Sequence, residues 1–237
     1  MARDLGTAEL GLGSETGFPA IDGVDPTLLS FPGFAPAEAL RVAPGAASGQ
    51  PIGTWALGLD VYIPQPAGTF VSLLQTGDGD GDLFLRDNGD GTAGIGVNGV
   101  YDGAFAFDAW NRIIATVSQE SGDTVLRKYL NGALVGTQNL GATDRWEIDP
   151  QVGVRLFNDN DGETAGGAVS SVFFTTDVPS AAETAGVVAS IPAPDAAGFF
   201  PAAPSDNALE IGFGGEDVAP RYGEAQEFLD GFGFRPP

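Results

Sequence analysis

The chain has 237 residues, with ten Lys plus Arg against 32 Asp plus Glu, a net charge of −22, and neither cysteine nor histidine. Disulfides, thiolate zinc sites, Ser-His-Asp triads and Cys-His pairs are therefore excluded, and the commonest general base is missing. A surface this negative repels phosphate backbones and anionic lipid, which argues against nucleic acid and membrane insertion; it suits divalent cations, neutral sugars and basic partners. With 43% hydrophobic residues, 16 of them Phe, the chain can bury a core without staples and is not a disordered polymer. No apolar run approaches the roughly 18 residues that cross a bilayer. The start, Met1-Ala2-Arg3-Asp4, lacks a signal-peptide core, so an extracellular or cell-surface location implies a leader already removed or an uncleaved signal elsewhere.

The 36 Gly and 17 Pro divide the sequence into short runs rich in branched and aromatic residues. In chain order these predict strands at 54–63, 69–76, 82–87, 111–118, 124–130, 133–138, 151–157 and 167–175. Eight such strands between Gly, Asp and Asn turns indicate an all-β fold, a two-sheet antiparallel sandwich or jelly roll. Asn131-Gly132, between two apolar runs in KYLNGALVG, predicts a hairpin with a type I′ turn that fixes its register. Pro179-Ser180 with Glu183 three residues beyond the serine has capping-box spacing and predicts one short helix. We read 1–237 as a single domain: a motif-bearing core over 52–188, a Pro- and Ala-rich connection over 189–207, and a C-terminal strand segment over 208–237.

Two acidic loops carry the metal expectation. The first is Gly77-Asp78-Gly79-Asp80-Gly81-Asp82, followed by Asp87-Asn88-Gly89-Asp90-Gly91. Alternating Asp and Gly lets several carboxylates turn onto one hard cation, which takes six to eight oxygens. An EF-hand reading fails, because counting from Asp78 puts Leu83 where Gly belongs and Gly89 where Glu belongs. The second loop is Asn158-Asp159-Asn160-Asp161-Gly162-Glu163. Asp78, Asp80, Asp82, Asp87, Asp90, Asn158, Asp159, Asn160, Asp161 and Glu163 are thus the candidate calcium ligands; the plainer alternative is solvated turns rich in turn formers. Among the aromatics, Trp55, Trp110 and Trp146 read as core or edge packing. Tyr101, in the loop-like Asn98-Gly99-Val100-Tyr101-Asp102-Gly103, is the better ligand contact, with Asn98 and Asp102 beside it; its alternative role is a plug closing the sandwich end. Gly94-Ile95-Gly96 and Gly99 match a dinucleotide loop only superficially, since no helix follows.

The ordered series TWALGLDVYIP, SLLQT, the GDGDLF loop, GIGVNGVYDG, AWNRIIATV, KYLNGALVGTQ, RLFNDNDGE and VSSVFF resembles the laminin-G-like branch of the concanavalin A-like lectin/glucanase superfamily. Trp110-Asn111-Arg112 and Tyr129-Leu130-Asn131-Gly132 are its most telling pieces, and GFPAIDGVDPTLLSFPGF resembles the lead-in of that branch. The resemblance implies two stacked antiparallel sheets, frequently with calcium at one rim. It also implies a bacterial secreted setting, in which similar domains accompany phosphoesterases and other exported enzymes. Its glucanases carry Glu-x-Asp-x-x-Glu on one strand. The nearest string here is Glu147-Ile148-Asp149-Pro150-Gln151-Val152, without the second Glu and with a proline unsuited to a central strand. The expected function is therefore a non-catalytic recognition or adhesion module, calcium-supported, for a glycan or surface polymer.

One segment departs from that pattern. A strand resembling IGFGGEDVAPRYGEAQEFLDG precedes the lead-in in relatives and here lies within 210–231. Three placements stay open: circular permutation with the strand closing its own sheet, the opening of a further repeat, or donation to a neighbouring subunit. The last makes Ile211, Phe213, Tyr222 and Phe228 assembly residues and other copies of the chain the partner. An accessory domain of a secreted phosphoesterase or glycosidase is the remaining alternative.

Overall fold

A computed structural model describes residues 9–35, 39–42, 49–77, 81–176 and 208–212. The strands are β1 (Glu9–Leu12), β2 (Thr27–Phe31), β3 (Leu40–Val42), β4 (Trp55–Tyr62), β5 (Phe70–Gln75), β6 (Asp82–Asp87) and β7 (Thr92–Val97). They continue with β8 (Val100–Ala106), β9 (Trp110–Glu120), β10 (Asp123–Leu130), β11 (Ala133–Asn139), β12 (Val154–Leu156), β13 (Gly167–Thr175) and β14 (Ala208–Gly212). One short helix, α1 (Gly13–Thr16), follows β1. The helix expected at 179–183 lies outside the described residues.

The strands form two antiparallel sheets, so the protein is the jelly-roll sandwich that the strand pattern predicts. One sheet is eight-stranded in the order β1-β2-β13-β4-β9-β10-β11, with β14 also on β13; the other is six-stranded in the order β3-β12-β5-β6-β7-β8. Between them lies one continuous core, to which β4 gives Trp55, Leu57, Leu59 and Val61 and β6 gives Leu83 and Leu85. The period of two along each strand sends the intervening residues to the outer faces.

The outer faces differ. β13 is buried along its whole length and β4 nearly so. The outward side chains at the centre of the eight-stranded sheet are thus out of water, among them Asp60 and Arg112. These two form a bidentate pair, with Nε and Nη2 of Arg112 donating to the Asp60 carboxylate at 2.7 and 2.6 Å, both side chains at most 1% exposed. On the six-stranded sheet the outward residues of β6 alternate half-buried and exposed with the buried inward ones. This face is partly open to solvent at β6 and β8, while the outward Ser72 and Gln75 of β5 are buried.

The hairpin at Asn131-Gly132 forms as predicted, with φ of 48° and 82°. The turn sets the pairs Leu130↔Ala133 and Tyr129↔Leu134, after which a bulge shifts the register so that Lys128 faces Gly136. The turn therefore does not fix the register of the whole hairpin. The sequence analysis expects no strands at β1, β2, β3, β7 or β8. β7 and β8 are a second hairpin on Asn98-Gly99, with φ of 52° and 84°. Their four glycines had obscured the alternation.

Lys128, the chain's single lysine, ties the two sheets together. It points inward from β10, is 0% exposed, and donates to Asp102 Oδ2 of β8 at 2.6 Å. Asp102 is 33% exposed, so either partner's removal has an unequal cost. Asp102→Ala strands an ammonium inside the core and is expected to cost about 3 kcal/mol. Lys128→Met removes the charge and leaves a carboxylate that water reaches, for a smaller loss of about 1 kcal/mol. Urea denaturation midpoints test the order; a larger loss for Lys128→Met would refute it.

Candidate functional site

The outer face of the six-stranded sheet can be laid out from strand pairing. One row across the strands is Arg41, Arg155, Gln75 and Asp82, from β3, β12, β5 and β6. The next is Ser72, Phe84, Gly96 and Tyr101, from β5 to β8. A third is Phe70, Arg86 and Gly94. Gly94 and Gly96 leave β7 without outward side chains, and Tyr101 leans across it from β8. A Cβ at Gly94 would lie 2.8 Å from Tyr101 Cβ, and one at Gly96 would collide with the Val100 carbonyl.

The tyrosine ring reaches Phe70 at 5.8 Å, Phe70 meets Phe84 edge-on at 6.0 Å, and the Arg86 guanidinium carbon lies 5.6 Å from the Tyr101 centroid. All three rings are half-buried and Arg86 is exposed. Aromatic rings held by one another and by a cation present a flat apolar surface with little entropy left to lose. Arg41 donates to the Val152 carbonyl at 3.4 Å and Arg155 to Gln75 Oε1 at 3.3 Å, so the row of polar groups beside the rings is also held.

The expected ligand residues divide around this face. Tyr101 belongs to it, but as a strand residue of β8; the loop-like context read from its sequence is corrected by the Asn98-Gly99 turn. Asn98 is exposed at that turn, at the sheet's end. Asp102 points the other way, into the core, where Lys128 holds its carboxylate. Phe70, Phe84 and Arg86 carry no local signal of a shared site, because the Tyr101 they surround comes from β8, across β7, and neither strand is expected from the sequence. Trp55 and Trp146 are core residues, and Trp55 donates to the Trp146 carbonyl at 2.8 Å. Trp110 packs edge-on against Tyr62 and donates to the Pro19 carbonyl.

At the end of the arginine row lies the acidic rim. Asp159 is 2% exposed, and its Oδ1 accepts the N–H groups of Asp161, Gly162 and Glu163 at 2.9, 2.7 and 3.0 Å. The Glu163 carbonyl accepts Ser72 N–H at 2.8 Å, which clamps this loop beside β5. Asn160 Oδ1 accepts from Gln75 at 3.0 Å, and the buried Asn158 donates to the Ala35 carbonyl. Burial, a hydrogen bond to Asp159, and the charges of Asp159, Asp161 and Asp82 push the Glu163 carboxyl up to about 7. Glu163 therefore lies close enough to Asp82, at the start of β6, to feel its charge.

The ten expected metal ligands do not make one shell. Asp87 ends β6 and Asp90 lies in the turn after it, at the far end from Asp82, and a six-residue strand separates its ends by about 17 Å. There they serve turns: Asp87 accepts from Gly89 N–H and Gln65, Asp90 from the N–H and hydroxyl of Thr92. Asp78 and Asp80 lie outside the described residues. Among the described residues, no three acidic side chains are arranged to hold a metal ion, so the rim as described does not by itself fit calcium. Glu147 is exposed, and Asp149 caps the following turn through Gln151 N–H at 2.8 Å. Of the assembly residues, Ile211 lies in β14, whose backbone pairs with β13 of the same chain; Phe213, Tyr222 and Phe228 are outside the described residues.

A raised carboxyl binds its proton more tightly in the folded state. Between pH of about 4.5 and about 7 the folded chain keeps a proton that the unfolded chain has released, so stability falls as pH rises through that window. Thermal melts in EDTA from pH 4.5 to 8 are expected to show this decline, and Glu163→Gln is expected to flatten it. A wild-type melting temperature that rises across the window would contradict the assignment.

No family profile matches the chain, and no curated protein matches it. Solved structures do. A native heptameric SAP-like pentraxin from Limulus polyphemus is 15% identical, with a TM-score of 0.48 over 69% of this chain and 82% of that one. The Ruminococcus gnavus IT-sialidase CBM40 bound to α2,3-sialyllactose is 17% identical, with a TM-score of 0.42 over 64% and 96%. The binding domain of Paraclostridial Mosquitocidal Protein 1 is 13% identical, with a TM-score of 0.46 over 77% and 47%.

Proposed function

We propose that the protein is a non-catalytic glycan-recognition module, of the laminin-G-like type that its motif order resembles, and that its ligand lies on the outer face of the six-stranded sheet. The observation that carries this reading is the half-buried platform of Phe70, Phe84 and Tyr101 with Arg86 over the tyrosine. Sugar rings have one apolar face that stacks on such a surface and hydroxyls that reach the polar groups around it. The exposed Arg86 beside the tyrosine supplies such a group, and Arg155 and Arg41 lie partly exposed in the row beyond the buried Gln75. The reading places the protein outside the cell or at its surface, where polymers of this kind are met.

Calcium at the rim is a separate part of the proposal. Asp82, Asp159, Asp161 and Glu163 would supply some of its oxygens, and others would have to come from elsewhere, Asp78 and Asp80 being nearest in sequence. A cation there would displace the proton that Glu163 holds, because it reverses the local charge that keeps it. Millimolar calcium is then expected to raise the melting temperature by linkage, more at pH 6.5 than in the Glu163→Gln variant. An unchanged melting curve would remove calcium from the proposal and leave the aromatic face intact.

The rival reading, assembly through residues 208–237, needs a strand free to leave. Pairing of Ala208–Gly212 with Ser171–Thr175 of the same chain favours recognition over it. Size-exclusion of the full chain against one lacking 208–237 tests the point, and large assemblies lost on truncation would favour the rival.

A glycan array probed with labelled protein in calcium and in EDTA tests the main proposal. Tyr101→Ala and Phe84→Ala are each expected to weaken binding at least about tenfold, roughly 1.4 kcal/mol, with little change in melting temperature. Gly94→Ala should also weaken binding but with a lower melting temperature, because its Cβ would press on Tyr101 Cβ and the Tyr101 backbone. Failure to bind in either condition, or full binding by both aromatic variants, would overturn it.

A further inference from the structure

The outer face of the eight-stranded sheet holds apolar side chains that are buried without belonging to the core. Strand pairing puts Phe173, Ile114 and Tyr129 in one row across β13, β9 and β10, with Gly58 of β4 between the first two. Val125 lies further along β10 on the same side. None of these four is more than 9% exposed, yet none belongs to the cluster between the sheets. Parity gives the reason: Leu57, Leu59, Ala115 and Leu126 take the inward positions of β4, β9 and β10, so their neighbours face outward.

Among the described residues, only one end of this face has a cover. There α1 packs on β2, Phe18 meets Tyr62 edge-on, and the Pro19 carbonyl accepts the Trp110 indole N–H. Ile114 lies four residues further along β9, about 13 Å away. Two buried hydroxyls on the face, Tyr129 Oη and Ser171 Oγ, have no hydrogen-bond partner among the described residues. A cover that suits them brings polar atoms together with apolar ones, as a peptide chain does.

We infer that residues 213–237 of the same chain dock on this face and add a third layer to the sandwich there. β14 runs antiparallel to β13 from Ala208, opposite Thr175, to Gly212, opposite Ser171. β4 occupies one side of β13 throughout, and on the other side β2 takes up Gly167–Val169, directly ahead of β14. The chain therefore cannot continue along that edge beyond Gly212 and has to leave the plane of the sheet. The inner side is filled by the core, which leaves the outer one. Residues 177–207 meet no such block, because they leave and re-enter past the Thr175 end of β13. From Ser171 to β10 is three strand spacings, about 14 Å, and 25 residues reach about 37 Å even as a helix. The segment also has the composition of a cover: Phe228, Leu229, Phe232 and Phe234 fall within seven residues, with Glu224, Glu227 and Asp230 among and before them. The inference goes beyond the glycan reading, which concerns the opposite sheet, and it gives the C-terminal segment a place within its own molecule.

The absence of cysteine from the chain makes the test direct. Ile114→Cys then carries the molecule's one thiol, and the rate of maleimide labelling reads whether solvent reaches it. Labelling is expected to be at least about tenfold slower in the full chain than in the same variant ending at Gly212. Equal protection at both lengths would overturn the inference, since the cover would then be residues 177–207 or a second copy. Equally fast labelling at both lengths would overturn it by showing the face bare. Leu85→Cys, in the core between the sheets, is carried through both lengths and is expected to stay protected. If truncation exposes that thiol as well, the shorter chain has unfolded. Phe228→Ser with Leu229→Ser in the full chain then takes its place, with the same two overturning results.

Discussion

The contact between the inner faces of the two sheets is the constraint on which every other feature depends. Side chains alternate along a strand, so once Leu83 and Leu85 of β6 are committed to the core, Phe84 and Arg86 must face outward. A slip of one residue in β6 would bury an arginine and expose two leucines, a loss of several kcal/mol. The same parity turns Tyr101 outward and Asp102 inward on β8. Neighbours in sequence thereby receive opposite tasks, one on the open face and one on the buried Lys128.

Charge is handled in two ways that follow from that geometry. Where the cations Arg112 and Lys128 are carried inside they meet carboxylates: Asp60 is placed directly across from Arg112 by the β4–β9 pairing, and Lys128 spans the gap to Asp102. Such pairs add little net stability over well-packed apolar groups, but losing one member is costly, so they pin the registers. Where acids are left at the surface they gather. At the rim burial, with three neighbouring carboxylates, holds the Glu163 proton to near neutral pH, and Asp87 and Asp90 spend their oxygens on turns.

The two outer faces are buried unequally. β4 and β13 are shielded on both sides, whereas β6 and β8 keep one face half open around the rings of Phe84 and Tyr101 and the side chain of Arg86, with Ser72 and Gln75 of β5 buried beside them. Because this face is built on paired strands, its side chains are positioned by backbone hydrogen bonds. Gly94 and Gly96 contribute by absence, giving Tyr101 a bed to lie in.

Much of this was legible in the amino-acid order. The all-β sandwich, the strands at 82–87 and 167–175, the hairpin at Asn131-Gly132 and the packing roles of the tryptophans follow from local pattern and turn chemistry, which depend only on near neighbours. So do the two acidic loops and the absence of His- or Cys-based catalysis. The open face was not legible, because Phe70, Phe84, Arg86 and Tyr101 come from three strands and meet only through pairing. Nor was the separation of Asp87 and Asp90 from Asp82, which lie within one acidic stretch of sequence and at opposite ends of a rigid strand. Local composition determined which groups the chain owns; sheet register, a property of strands distant in sequence, decided which of them share a surface.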